Sequence, residues 1–111
     1  MATYIVLSTF TDQGIKSVKQ TTKRADAAKS AAKEVGVNLR EVLWTQGQYD
    51  VVAIIDAPDE TAVAAFGLSL AGAGNIKSQT LRAFTKDEME KILAKVHGFL
   101  SCWRHVVPPA T

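Results

Sequence analysis

The first third of the chain alternates a short apolar run with a longer stretch in which small apolar residues recur at helical spacing. Residues 4–10 (YIVLSTF) are largely β-branched and aromatic and run into a polar turn, so they predict a first strand. The apolar stripe of a following helix is formed by Ala25, Ala28, Ala32 and Val35. Gly36 is the residue type that ends such a helix in a left-handed conformation. Because the stripe is mostly alanine, we expect this helix to lie close against a sheet.

A β-hairpin is predicted in the middle of the chain, where residues 37–46 and 49–56 read as two strands. Gly47 and Gln48 between them suit a two-residue turn with glycine in its first position. With Trp44 opposite Val51, one face of the hairpin carries Val42, Trp44, Tyr49, Val51 and Ile55. The hairpin therefore predicts that Trp44 and Tyr49 share a face.

The second half of the chain predicts two more helices and one more strand. Asp59 is a suitable N-cap for a helix. The buried side of that helix carries Val63, Phe66 and Leu70. Residues 76–84 alternate like a strand, and a third helix begins after Thr85. The order β-α-β-β-α-β with an added C-terminal helix is the ferredoxin-like plan, so we predict an α+β fold with a four-stranded antiparallel sheet.

One face of this sheet is predicted to lack a cover. The central first strand is apolar on both faces, through Ile5 and Leu7 on one and Val6 on the other. Two helices cover only one face of a four-stranded sheet, which leaves an apolar face in water. A second copy of the same sheet is the simplest cover. We therefore expect a homodimer or an assembly of dimers.

Composition and charge narrow the class of protein further. The chain has 111 residues, 47% of them hydrophobic and 22% charged, which is typical of one soluble globular domain. A net charge of +2 is too small to indicate nucleic acid or an anionic membrane as partner. The single cysteine, Cys102, excludes an internal disulfide, and the N-terminus enters a strand without the features of a secretion signal. We expect a cytoplasmic protein.

A family resemblance is carried by the hairpin. The segment Gly47-Gln48-Tyr49-Asp50 opens the apolar strand 51–55 and resembles the hallmark of the GYD domain family. The likeness extends to residues 2–8, 22–25 and 80–84, and it covers about residues 1–94. It implies a dimeric α+β barrel, in which two ferredoxin-like sheets pack face to face, and it implies no particular reaction. We expect residues 1–97 to form this domain and residues 98–111 to form a C-terminal tail outside it.

The side chains predicted to bind a ligand are Trp44, Tyr49, Asp50 and Arg82. Each has a structural alternative. Tyr49 and Asp50 also suit a turn and a sheet edge, Trp44 a cross-strand contact, and Arg82 an edge-strand salt bridge. The basic segment 22–24 (TKR) indicates either an anion pocket near a helix start or a kink with a solvated face. No catalytic residue is assigned, because no base or nucleophile is convincingly paired.

The last residues contain one spacing that resembles a metal site, formed by His97, Cys102 and His105. A fourth ligand is missing from the neighbouring sequence, and a chain end rarely holds ligands in a fixed geometry. We therefore predict no metal and no cofactor.

Two hypotheses of function stay open at this point. The first is an oligomeric, non-enzymatic module that binds a small molecule at or near the subunit interface. The alternative is a small cofactor-free enzyme, similar to a monooxygenase or isomerase, that uses a cavity between the sheet and the helices. A polar-lined cavity behind Tyr49 would favour the enzyme or a small-molecule site, and a filled interior would favour a scaffold.

Overall fold

A computed structural model describes residues 1–97 of the chain. In this part the elements are β1 (Ala2–Phe10), α1 (Asp12–Lys16), a 3-10 turn (Val18–Gln20), α2 (Thr21–Glu34), β2 (Asn38–Trp44), β3 (Val51–Ala57), α3 (Glu60–Gly72), β4 (Ile76–Ala83) and α4 (Lys86–Lys95). These strands form a four-stranded antiparallel sheet in the order β2-β3-β1-β4. The predicted ferredoxin-like fold is confirmed, with β1 and β3 in the centre. The predicted tail, residues 98–111, lies outside the described residues.

Side-chain caps fix where the helices begin. An Asp59 carboxylate oxygen accepts the Ala62 backbone N–H at 2.8 Å, which starts α3 as predicted. Thr85 and Glu88 start α4 with a capping box, in which each side chain accepts the other residue's backbone N–H, at 3.2 and 3.0 Å. Gly36 follows α2 at a φ of 79°, the left-handed conformation predicted for it. Across residues 1–97, every helix is too short or too polar to cross a bilayer.

The core lies between one face of the sheet and the two helices α2 and α3. In β1 the side chains of Tyr4, Val6 and Ser8 are buried while their neighbours are half-buried, as expected for a strand with one face against helices. The buried apolar residues are Tyr4, Val6, Ala32, Val37, Leu39, Ile55, Ala57, Ala62 and Phe66. They come from the sheet and from both helices, so the sheet and helices share one core.

The opposite face of the sheet carries apolar side chains with no helix over them in the described structure. Strand register places Ile5, Leu7, Leu43, Val52, Ile54 and Leu81 on this face, and we call them the open sheet face. Leu43 is 47% exposed and Leu81 is 40% exposed. The pattern of the strands therefore predicted this surface correctly.

The hairpin between β2 and β3 keeps its predicted register but not its predicted turn. Trp44 pairs with Val51, and the Thr45 N–H donates to the Asp50 carbonyl at 2.8 Å. The strands end at this point, so residues 45–50 form a wider loop than the two-residue turn predicted from Gly47. Gly47 itself has a φ of 119°, a conformation that side chains resist. The wider loop carries Tyr49 to the open sheet face, so the prediction that it shares a face with Trp44 is wrong.

Candidate functional site

Asp50 joins the end of β1 to the start of β3. One carboxylate oxygen accepts the Phe10 backbone N–H at 2.8 Å, and the Asp50 N–H donates to the Ser8 carbonyl at 2.8 Å. The carboxylate thus takes a backbone donor that β1 would otherwise leave unpaired beyond the sheet ladder. The donor comes from β1, and not from Thr45 or the turn amides.

Tyr49 lies at the same end of the sheet but on the open face. Its hydroxyl donates to the Gln79 side-chain oxygen at 3.1 Å. Gln79 pairs with Leu7 in the register of β1 and β4, and both side chains belong to the helix-free face. Tyr49 therefore extends across that face toward the β4 edge.

Arg82 lies at the other end of the sheet and holds the start of α4. Its guanidinium donates to a Glu88 carboxylate oxygen at 3.0 Å and to the Thr3 carbonyl at 3.2 Å. It also lies over the Phe84 ring, 4.5 Å from the centroid. In register it pairs with Tyr4, four residues before Ser8 on β1, so it is about 13 Å along the strand from the Asp50 contact.

Trp44 differs from the other three predicted residues because it borders a cavity. The indole N–H donates to the Thr21 hydroxyl at 3.0 Å, which joins the end of β2 to the start of α2. Tyr49, Asp50 and Arg82 do not line that cavity. The structure therefore does not bring the four predicted residues into one site.

The cavity lies between the covered face of the sheet and the helices α2 and α3, and its volume is about 240 Å³. Its walls come from Val6, Leu39, Val42, Val51, Ala53, Phe66, Leu70, Ile76 and the α2 alanines Ala25, Ala27, Ala28 and Ala31, among others. The alanine stripe was expected to bring α2 close to the sheet. Ala32 is buried in the core and Ala28 packs against it, while Ala25, Ala28 and Ala31 also line the pocket, so α2 packs on the core and borders an opening at the same time.

A few polar side chains also line the cavity. Ser8 is buried inside, and its hydroxyl is hydrogen-bonded to the Ser78 hydroxyl at 2.9 Å. Thr21, Arg24, Ser69 and Asn75 are the other polar lining residues besides the Trp44 indole. Arg24 is half-buried and donates to the Ser17 carbonyl and hydroxyl, both at 2.9 Å, and to the Gly14 carbonyl at 3.2 Å.

The chemistry of this lining is that of a binding pocket. Within residues 1–97, the lining contains no carboxylate, histidine or cysteine, and no group of three metal-ligating side chains occurs anywhere in that range. Arg24 has no carboxylate within ion-pair distance in the described part of the chain. The cavity therefore offers apolar walls and one positive charge, but no acid–base pair.

A second candidate surface lies on α4. Met89, Ile92 and Leu93 recur at helical spacing and share one side of the helix, and we call them the α4 stripe. Leu93 is 54% exposed, and α4 buries none of its residues within the described structure. The capping box and the Arg82–Glu88 ion pair nevertheless fix the start of this helix. This apolar stripe is thus held in place while Met89 and Leu93 stay exposed and Ile92 is half-buried.

Sequence reasoning missed Ser8 and Ala53 and singled out Arg24 only as part of a basic segment with two interpretations. The structure places Arg24 in the cavity lining and leaves Thr22 and Lys23 exposed. The available signal was a stripe of alanines with a cation directly before it. Ser8 and Ala53 gave no signal, because each is an ordinary strand residue until the helices are placed.

Comparison with known proteins agrees with this fold. A family model described as the GYD domain matches residues 4–93. A protein of Thermus thermophilus, named glutamine synthetase and cystathionine beta-lyase binding protein, is 36% identical over 84 residues. That alignment covers 75% of this chain and 88% of the relative. No solved structure matches the chain.

Proposed function

This chain belongs to the GYD domain family, and we propose that it is a protein-binding module that works as a homodimer. The open sheet face carries this proposal, because it is an apolar surface that the described chain leaves without a cover. The name of the Thermus thermophilus relative supports protein partners.

The size of the open sheet face suits a second copy of the same sheet. With about 3.3 Å per residue and 4.8 Å between strands, four strands of eight residues span roughly 500 Å² in projection. Stable interfaces bury about 800 Å² of accessible surface on each partner, so this face supplies most of what a dimer needs. Pairing about a twofold axis parallel to the strands sets β2 of one copy opposite β4 of the other.

The α4 stripe is the surface that we assign to a partner protein of a different kind. A helix of ten residues is marginal in water unless its apolar side packs against something. Residues 1–97 provide caps for α4 but leave Met89 and Leu93 exposed, and an amphipathic helix with apolar anchors at this spacing is a common way to enter a groove on another protein.

An enzymatic function has less support. Proton-transfer catalysis needs an acid or base within hydrogen-bond reach of the substrate, and the cavity lining within residues 1–97 has none besides the guanidinium of Arg24. The polar residues that the alternative relied on, Tyr49, Asp50 and Arg82, are each hydrogen-bonded outside the cavity. Binding is the better use of this geometry.

The experiment is a direct binding measurement with two defined partners. Glutamine synthetase and cystathionine beta-lyase from this protein's own source are purified, and their affinity for the immobilised chain is measured by biolayer interferometry. We expect micromolar or tighter binding to at least one of them. Leu93→Glu should weaken that binding at least tenfold, because it puts a charge in the centre of the apolar stripe.

Ala94→Glu is the matched control, because it adds the same charge to the same helix outside the apolar stripe. It should bind like the parent protein. Failure of both enzymes to bind would reject these partners, and unchanged affinity in Leu93→Glu would reject the α4 stripe as the docking surface.

A further inference from the structure

The cavity beneath α2 is too large to be a packing defect. Protein interiors are close-packed, and voids much larger than a water molecule are few. Here a pocket of about 240 Å³ extends from Phe66 and Leu39 of the core to the surface, where its lining residues Trp44, Ala27 and Ser69 are exposed. The space exists because Ala28 and Ala31 of α2 face Ala53 of β3 across it, where larger side chains would fill it.

The lining of the cavity combines apolar walls with the charged side chain of Arg24. Its walls are almost wholly apolar, and the Ser8 hydroxyl inside them is already paired with Ser78. Arg24 brings the single charge that the lining has within residues 1–97. Its three hydrogen bonds are made by Nη1 and by one N–H of Nη2, so Nε–H and the second Nη2 N–H have no acceptor within residues 1–97. A half-buried guanidinium with donors to spare favours an anionic oxygen.

We infer that this cavity binds a small amphipathic carboxylate, with its apolar tail among the alanines and its carboxylate at Arg24. A cavity of about 240 Å³, filled at the density of a protein interior, holds about ten non-hydrogen atoms. An unbranched carboxylate of eight carbons has this size. A longer fatty acid would extend beyond the pocket into solvent, and a free phosphate would leave the apolar walls unfilled.

This site is independent of the proposed protein-binding function. The cavity lies under the helices, whereas the open sheet face and the α4 stripe lie elsewhere on the molecule. A ligand can therefore bind whether or not the dimer or the partner complex forms. Failure of one proposal does not decide the other.

The test uses octanoate as the probe and 1-octanol as its uncharged counterpart, each titrated into the full chain by calorimetry. We expect octanoate to bind at least tenfold more tightly than octanol. Arg24→Gln should reduce octanoate affinity to the level of octanol. Lys23→Gln is the matched control, because it removes the same charge from an exposed neighbour on the same helix and should leave affinity unchanged.

The apolar part of the site is tested by filling it. Ala53→Val adds two methyl groups in the cavity on a strand that favours β-branched residues, and it should abolish octanoate binding without lowering the melting temperature. Ala28→Leu fills the same space from α2 and serves if Ala53→Val does not fold. The inference is overturned if octanoate does not bind at millimolar concentration, if octanol binds equally well, or if the folded filling variants still bind it.

Discussion

Single residues connect strand ends and helix starts in this molecule, and Asp50 does so at the hairpin. Its carboxylate accepts the Phe10 N–H at 2.8 Å, so Asp50→Ala leaves a backbone donor without its partner. We expect Asp50→Ala to lower the free energy of unfolding by about 1–3 kcal/mol. Asp50→Asn keeps an acceptor oxygen and should cost about 1 kcal/mol or less. Urea denaturation of both variants measures the difference.

The comparison of the two variants also decides what Asp50 is for. If the Asp50 carboxylate is structural, Asp50→Asn should destabilise the protein less than Asp50→Ala does. Neither variant should then change the affinity for octanoate or for the partner protein. Equal stability of all three proteins, together with loss of a binding activity in Asp50→Asn, would assign Asp50 to a ligand instead.

Glu88 gives the protein a pH-dependent contact at the start of α4. The Thr85 backbone N–H and the Arg82 guanidinium stabilise its charged form and lower its pKa from 4.5 to about 2. A folded-state pKa below the unfolded value means that the contribution to stability is present above about pH 5 and is lost as the pH falls toward 2. Glu88→Gln removes this dependence. We therefore expect the parent and Glu88→Gln melting temperatures to differ near pH 6 and to converge near pH 2.

The control for Glu88 is Glu90→Gln, a neutralised carboxylate on the same helix that is exposed and outside the capping box. Its melting temperature should follow that of the parent protein across the same pH range. A parent curve that stays parallel to the Glu88→Gln curve down to pH 2 would show that the contact with Arg82 and Thr85 does not contribute to stability.

At the scale of the elements, helix ends could be predicted from the sequence because a single capping residue decides each of them. Asp59 before an apolar helix and Gly36 after one fix helix ends within a few residues, and the structure has both. The turn at Gly47 was predicted less well, because strand pairing ends at Trp44 and Val51 and residues 45–50 all belong to the loop. A change of that kind moves Tyr49 to the other face, which no pattern of alternation reveals.

The alanines of α2 show why the candidate site was harder to predict than the fold. Alanine at Ala25 and Ala28 is compatible both with close packing and with an open cavity. Which of the two occurs depends on the positions of residues on other elements, such as Val42 and Leu70, that form the remaining walls of the pocket. Spacing along the chain gives the face of a helix, but the distance between layers depends on every element in contact.

The C-terminal segment is tested by truncation after Lys95. The buried core of residues 1–97 extends from Tyr4 to Phe66, and α4 buries none of its residues there. We expect the truncated chain to keep its far-ultraviolet circular dichroism, its melting temperature within a few degrees, and its sedimentation coefficient relative to its mass. Loss of the dimer on truncation would assign Phe99, Leu100 and Trp103, which lie outside the described residues, to the assembly.

At the scale of the whole molecule, each of three surfaces has its own proposed function. The covered face of the sheet holds the core and the cavity, the opposite face is proposed for a second copy, and α4 is proposed for another protein. The covered face holds the core because two helices pack on one side of a single sheet. The second follows from the apolar character of β1 and β3 on both faces, a property that was visible in the sequence because neither strand alternates with polar residues.

The homodimer is the prediction that concerns the whole molecule. Ile54 lies on central strand β3, beside Ile5 and on the open face, so a face-to-face pair buries it in the interface. Ile54→Glu would place an unpaired carboxylate there, at a cost of several kcal/mol. We expect the parent protein to sediment as a dimer at micromolar concentration and Ile54→Glu to sediment as a folded monomer. Ser30→Glu adds the same charge to an exposed position of α2 and should stay dimeric. A parent protein that sediments as a 12.0 kDa monomer, or an Ile54→Glu dimer, would show that the open sheet face is not the interface.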